Sequence, residues 1–239
     1  MKQLHERIRR LPPGVEFLVV VSWAFGLPIF TSILSLGAGG GADSRAGGAL
    51  VFNNAALINI VSFELLQTVF LVWFLWVRGW TLAKVGLHVS WRGTWNGWLL
   101  LLGTYVVLMA LQWLAHAFLP GPVQIAAQRY PTADLQVSMQ LVFLASTVNG
   151  MFEELFVAGY IITALREARG TLTAINVSTV IRLLYHLYQG PLALITVVPM
   201  GLIFGFFYSR TRQLWPLILA HILIDIIGLS ALGRLLERS

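Results

Sequence analysis

The sequence contains no cysteine and few charged residues. Without cysteine, the chain cannot form disulfides, bind a metal through thiolates or use a cysteine nucleophile. Only 11% of its 239 residues are charged and 57% are hydrophobic, whereas about 25% are charged in an ordinary soluble domain. A soluble fold of this composition would expose large apolar patches and aggregate. The mean hydropathy of +0.77 therefore predicts an all-α polytopic membrane protein.

Apolar segments long enough to span a membrane recur along the chain. At about 20 residues per span, the length allows about seven transmembrane helices in one integrated membrane domain. Their approximate bounds are 15–37, 53–77, 95–118, 138–165, 172–189, 191–208 and 213–233. We expect the first three helices and their loops to occupy residues 1–137, and a catalytic core of the last four to occupy 138–234.

The net charge of +6 is interpreted by position, because Lys and Arg of membrane proteins collect in cytoplasmic loops. With the N-terminus inside, eleven Lys and Arg fall in inside segments and four in outside segments. This bias predicts a cytoplasmic N-terminus and an outside C-terminus, in a multi-pass protein of the cell (inner or plasma) membrane. The basic charge then needs no nucleic-acid partner, and we predict none.

Ionisable side chains within spans are costly and usually have both a partner and a function. Most of those in this chain lie on the fourth, fifth and seventh predicted spans: Glu153, Glu154, Arg182, His186, His221 and Asp225. Arg182 and His186 share a helix face, as do His221 and Asp225, because each pair is four residues apart. The adjacent glutamates should point in different directions. A carboxylate among imidazoles favours acid–base chemistry, with water activated by Glu153 and His186 as the attacking group.

Other polar residues in the spans have simpler interpretations. Isolated glutamates such as Glu16 and Glu64 are typical of hydrogen bonds between helices or of snorkelling side chains. His116 lies near the end of a predicted span and is interpreted as interfacial. Tyr185 fits an aromatic belt or core packing as well as a substrate contact.

Three short motifs follow one another along the apolar helices. Residues 153–158 read Glu-Glu-Leu-Phe-Val-Ala and match the pattern EExxxR except at Ala158. Residues 182–186 keep the histidine of FxxxH without its phenylalanine, and residues 221–225 match HxxxD. From about 138 to 230, the chain thus resembles the CPBP family (CAAX proteases and bacteriocin-processing enzymes, also called Abi), which includes the type II CAAX prenyl endopeptidases.

The resemblance implies an intramembrane endopeptidase in which Glu153 and His186 activate the hydrolytic water. It also implies that His221 and Asp225 stabilise the oxyanion or orient the groups that do. We expect Asp225 to accept the ring N–H of His221 and thereby fix its tautomer. The substrate implied is a membrane-associated protein or peptide.

A set of one glutamate and two histidines could bind zinc. A glutamate with a histidine suffices to activate water, however, and we predict that the enzyme uses no metal and no other cofactor.

Ala158 is the main departure from the family pattern. It leaves Glu154 without the arginine of the first motif, and a buried unpaired carboxylate is costly. Arg182 is the remaining basic side chain inside a predicted span. We therefore predict that Arg182 supplies this charge from the fifth helix; the alternative is that the loss of arginine marks a pseudoenzyme.

Two other functions compete with proteolysis. A non-catalytic immunity or scaffold protein could keep the same fold, and unchanged biology after Glu153→Gln would favour it. A proton-coupled transporter is less favoured, although buried Glu, His and Arg also form proton relays. The odd number of predicted spans and the lack of visible repeats count against a transporter.

Overall fold

The computed structural model describes residues 2–39, 51–121, 132–133 and 137–236, and most of them are helical. The helices are α1 (Lys2–Arg9), α2 (Pro13–Gly39), α3 (Asn54–Val77), α4 (Trp91–Phe118), α5 (Met139–Glu153), α6 (Thr163–Arg169), α7 (Thr171–Tyr185), α8 (Leu192–Thr211) and α9 (Trp215–Leu236). A π-helical segment, Glu154–Ile162, joins α5 to α6, and a 3₁₀ turn, Leu187–Gln189, follows α7. Two short strands, β1 (Val51–Phe52) and β2 (Thr132–Ala133), pair in parallel.

Five helices of the described chain are long and apolar enough to cross a membrane: Pro13–Ser35, Asn54–Val77, Trp91–Phe118, Met139–Arg169 and Leu192–Thr211. Two shorter apolar helices, Thr171–Tyr185 and Trp215–Ser230, lie where the fifth and seventh spans were predicted. The expected class, a helical multi-pass membrane protein, is confirmed. The count of seven spans and the orientation of the termini stay predictions.

Bulky apolar side chains cover the outer surfaces of the long helices. On α4, only 22% of the apolar window is buried, and Trp98, Leu99 and Leu102 are each about half exposed or more. Such a surface is unstable in water but matches a hydrocarbon environment. The outward faces of the bundle therefore suit contact with lipid.

The segment Met139–Arg169 is the most buried of the five spans, with 56% of its apolar window inside the protein. It packs against α3, α7, α8 and α9. Gly150 allows the close approach of α9, because an added Cβ would lie 2.8 Å from Ile222 Cγ1. This central position puts the side chains of α5 and the π-helical segment against both α7 and α9.

The predicted fifth span, 172–189, is too long. Helix α7 ends at Tyr185, and His186 leaves the helical conformation with φ −107° and ψ 6°. The 3₁₀ turn then runs to Gly190, whose φ of +67° suits glycine and ends the segment before Pro191. His186 thus lies at the end of α7, where regular helix geometry no longer sets the direction of its side chain.

Glu16 has the structural role that the sequence favours. Its carboxylate accepts hydrogen bonds from Trp80 Nε1 at 2.9 Å and Tyr160 Oη at 3.2 Å, and it pairs with Arg78. Arg78 also donates to the carbonyl of Ile8 in α1. This cluster ties the N-terminal helices to the π-helical segment.

Candidate active site

The six ionisable residues singled out in the sequence converge inside the bundle. Glu153 and Glu154 lie where α5 becomes π-helical, and Asp225 lies with His221 on α9. Arg182 lies in the last turn of α7, and His186 caps that helix. Contacts of 4.0 Å or less connect all six side chains. The structure thus joins residues from three separate helices into one cluster.

Glu153 and Glu154 turn toward the same neighbours, although a regular helix would point adjacent side chains in different directions. Arg182 contacts both carboxylates, and His221 lies within 4.0 Å of both. Of the two, Glu153 lines both cavities, whereas Glu154 is fully buried and lines neither. The two long side chains thus share Arg182 and His221 as partners while facing different surroundings.

Arg182 bridges the two glutamates from α7. Its Nη2 donates to Glu154 Oε1 at 2.7 Å and its Nη1 to Glu153 Oε2 at 3.2 Å. Arg182 is 2% exposed and Glu154 is 0% exposed, so the pair is fully desolvated. The ion pair predicted to replace the missing arginine at position 158 is therefore present in the structure. Its contribution to stability and activity stays a prediction.

His186 presents one ring nitrogen to Glu153. Its Nδ1 is 2.9 Å from the carbonyl oxygen of Arg182, which can only accept, so Nδ1 carries the hydrogen. In the neutral ring, Nε2 is then the acceptor, and it lies 4.0 Å from Glu153 Oε1. This gap is too long for a direct hydrogen bond, but one water molecule can bond both atoms across it.

His221 is oriented by Glu154. Its Nδ1 lies 2.7 Å from Glu154 Oε1, whereas Asp225 Oδ1 is 3.6 Å from Nε2, beyond hydrogen-bond distance. The expectation that Asp225 fixes the tautomer of His221 is therefore wrong. The longer glutamate side chain reaches the ring from the neighbouring helix, while the aspartate one turn along α9 stops short of it.

Tyr185, Asn149 and Glu64 complete the surroundings of Glu153, and the sequence motifs do not assign them to the site. Tyr185 Oη donates to Glu153 Oε2 at 2.6 Å. Asn149 Nδ2 lies 3.2 Å from Glu153 Oε1 and 2.8 Å from Glu64 Oε1, and so links two carboxyl groups. The spacing of four residues between Asn149 and Glu153 was a usable signal. Nothing in the sequence connects Glu64 of α3 to them.

A cavity of about 230 Å³ borders Glu153, His186, His221 and Asp225. A second pocket of about 460 Å³ also reaches Glu153 and His186 and extends between α2 and α3. A water molecule occupies about 30 Å³ of liquid, so the first cavity has room for water beside a section of peptide. The proposed acid–base residues thus face space that a substrate can enter.

The ligands needed for a metal ion are not assembled around Glu153. Within the described ranges, no group of three or more His, Asp or Glu residues is arranged to hold a metal. Both imidazole Nε2 atoms lie 4.0 Å from the Glu153 carboxylate, and Nδ1 of each ring is already bonded. Whether catalysis depends on a metal stays a prediction.

Changing Tyr185 to Phe should lower the activity of the site without disturbing the fold. The substitution removes the 2.6 Å hydrogen bond to Glu153 but keeps the ring that stacks on Phe25. We expect turnover to fall about tenfold, equivalent to about 1.4 kcal/mol in the barrier. Tyr160→Phe is the matched control, since it removes a tyrosine bond to the structural Glu16. Equal losses in the two variants would contradict a specific effect on Glu153.

Residues 135–227 match a protein-family model described as type II CAAX prenyl endopeptidase Rce1-like. The match contains all three motifs and all six residues of the cluster. No curated protein and no solved structure matches the chain. The family resemblance indicated by the motifs is confirmed over this region, which supports a protease.

Proposed function

Because residues 135–227 resemble the type II CAAX prenyl endopeptidases, we propose that this protein is an intramembrane endopeptidase of the CPBP type. It hydrolyses a peptide bond in a membrane-associated protein or peptide, with water activated by Glu153 and His186. The observation that carries the proposal is the opposition of Glu153 Oε1 and His186 Nε2 across 4.0 Å at the cavity wall. We place the protein in the inner or plasma membrane of the cell.

In the first step, water lies between Glu153 and His186 and donates a hydrogen bond to each. As its oxygen attacks the carbonyl carbon of the substrate, its proton passes to the Glu153 carboxylate. Tyr185 and Arg182 hold the other carboxylate oxygen, Oε2, and so direct Oε1 toward the water. The carbonyl π electrons move to oxygen, which becomes the oxyanion of a tetrahedral intermediate.

His221 is placed to stabilise that oxyanion. In this step the ring acts in its cationic form, with Nδ1–H bonded to Glu154 and the second proton on Nε2, 4.0 Å from Glu153 Oε2. From there it can donate to negative charge developing beside Glu153. When the carbon–nitrogen bond breaks, the proton held by Glu153 passes to the leaving amine, which restores the carboxylate and completes hydrolysis.

A comparison of membrane proteomes tests the proposal even while the substrate is unidentified. Cells would produce the wild type, Glu153→Gln, His186→Ala or His221→Ala at equal levels, and new protein termini would be identified by mass spectrometry. We expect a set of termini found with the wild type and lost in all three variants. Identical termini for folded wild type and variants would contradict proteolysis and favour the immunity or scaffold function instead.

Chelation should leave the activity unchanged. Glu153 and His186 suffice to activate water, so cleavage by the purified protein should stay within about twofold after incubation with EDTA or phenanthroline. The rate of peptide hydrolysis in detergent measures this directly. Loss on chelation with recovery on added zinc would contradict the metal-free mechanism while retaining the protease.

A further inference from the structure

The basic residues at the helix ends gather at one end of the bundle. Arg78 donates to the carbonyl of Ile8, and Arg212 donates to the carbonyl of Lys84 and to Thr163 Oγ1, which joins the ends of several elements. This basic end carries Arg7, Arg9, Arg10, Arg78, Lys84, Arg92, Arg166, Arg169, Arg210 and Arg212. Of the four basic residues predicted to lie outside, Arg45, Arg129 and Arg238 fall beyond the described residues, and Arg234 lies in the last turn of α9. By the positive-inside rule, the basic end is cytoplasmic.

The catalytic cavity extends from Glu153 toward the opposite end. On α3 it is lined by Leu57 and Ile60, in the part of that helix farthest from Arg78. Beyond the C-terminus of α7, Tyr188 contributes, and on α9 the lining continues to Leu229, away from the basic start of that helix. The cavity-lining residues of these elements therefore lie away from the basic end of the bundle.

Polar groups continue along this route. Ser146 is 1% exposed and lines the cavity, and its hydroxyl has no hydrogen-bond partner among the described residues. It lies on α5 between Glu153 and the start of the helix, and so marks the path from the site toward the cavity end. A polar wall at this depth suits water and a peptide backbone better than lipid chains.

We propose that the substrate enters from the extracytoplasmic side and is cleaved within the extracytoplasmic segment adjoining its membrane anchor. This inference rests on the proposed function and specifies its substrate class. The segment is apolar, to suit Leu57, Ile60 and Leu229. Cleavage of a cytoplasmic C-terminal tail would require entry through the basic end.

Because the chain contains no cysteine, single-cysteine labelling can test the direction of access. Ala55 and Ala83 are exposed alanines at the cavity end and the basic end, respectively. In right-side-out vesicles, a membrane-impermeant thiol reagent should modify Ala55→Cys and Gly228→Cys, and should modify Ala83→Cys only after permeabilisation. Gly228 lines the cavity, and an added Cβ there meets no atom within 4 Å. Ser178→Cys is the matched buried control, because Ser178 bonds the carbonyl of Val157 and lines neither cavity; it should stay unmodified.

Two labelling results would overturn the inference. Modification of Ala83→Cys with protection of Ala55→Cys would reverse the orientation. Modification of Ala55→Cys without Gly228→Cys would show that the cavity is closed to that side.

The substrate class is tested by the location of the cleaved bonds. Termini lost in Glu153→Gln should lie in extracytoplasmic segments, within about 10 residues of a membrane anchor. Cytoplasmic termini would overturn this inference but retain the protease. If no termini differ, the proposed function fails, whereas the labelling still decides the route to the cavity.

Discussion

Glu153→Gln is expected to reduce peptide hydrolysis by about 10²–10⁴-fold, the range typical of a lost general base, while the protein stays folded. The amide cannot take the proton of the attacking water, but its carbonyl oxygen can still accept the bond from Tyr185. Arg182 keeps Glu154 as its partner at 2.7 Å, so no buried cation is left unpaired. Steady-state kinetics should show the loss in kcat, with KM little changed.

Glu154→Gln is the matched control for this effect. It removes the same charge from the adjacent position, but glutamine can still accept the Nδ1–H of His221 through its carbonyl oxygen. We expect a loss of about 10-fold, one hydrogen-bond increment of about 1.4 kcal/mol, because Glu154 orients His221 and does not face the water. A larger loss for Glu154→Gln than for Glu153→Gln would exchange the proposed roles of the two glutamates.

Arg182→Met is expected to lower the free energy of unfolding by about 3–5 kcal/mol, the cost typical of breaking a buried ion pair. Methionine fills much of the arginine volume, so most of the loss comes from two adjacent carboxylates left without their cation. Reversible unfolding in mixed micelles would measure the change. A variant as stable as the wild type would show that the pair at 2.7 Å contributes nothing to folding.

A double-mutant cycle isolates the pairing from other effects of the substitution. Adding Glu154→Gln to Arg182→Met removes one of the stranded charges and should restore about 0.5–3 kcal/mol, the usual coupling of residues in contact. Arg78→Met is the matched control, because Arg78 pairs with Glu16 at the basic end and not with Glu154. Glu154→Gln should restore nothing there. If the double variant is no better tolerated than Arg182→Met, the pairing hypothesis is wrong.

The loss of the motif arginine at Ala158 does not require the loss of the ion pair. An arginine on another helix reaches both glutamates, so the local sequence changes while the buried charges remain balanced. This arrangement favours a relocated charge over a pseudoenzyme, and the activity measurements on Glu153 decide between them.

Much of this protein follows from sequence, because hydrophobicity and local spacing act within one helix. The apolar composition determined the membrane class, and His221 and Asp225, four residues apart, do lie on one helix, α9, with a contact of 3.6 Å. The three motifs contain the glutamates and histidines that the structure brings into one cluster; their catalytic roles stay predictions.

Only the tertiary structure decided how those residues are used. Arg182 and His221 from other helices contact both glutamates, and the end of α7 at Tyr185 frees His186 from helical geometry. Contacts between helices then let Tyr185 donate a hydrogen bond to Glu153. They also make Glu154, and not Asp225, the hydrogen-bond partner of His221. These choices depend on which helices pack together and at what depth, which spacing along a single helix does not encode.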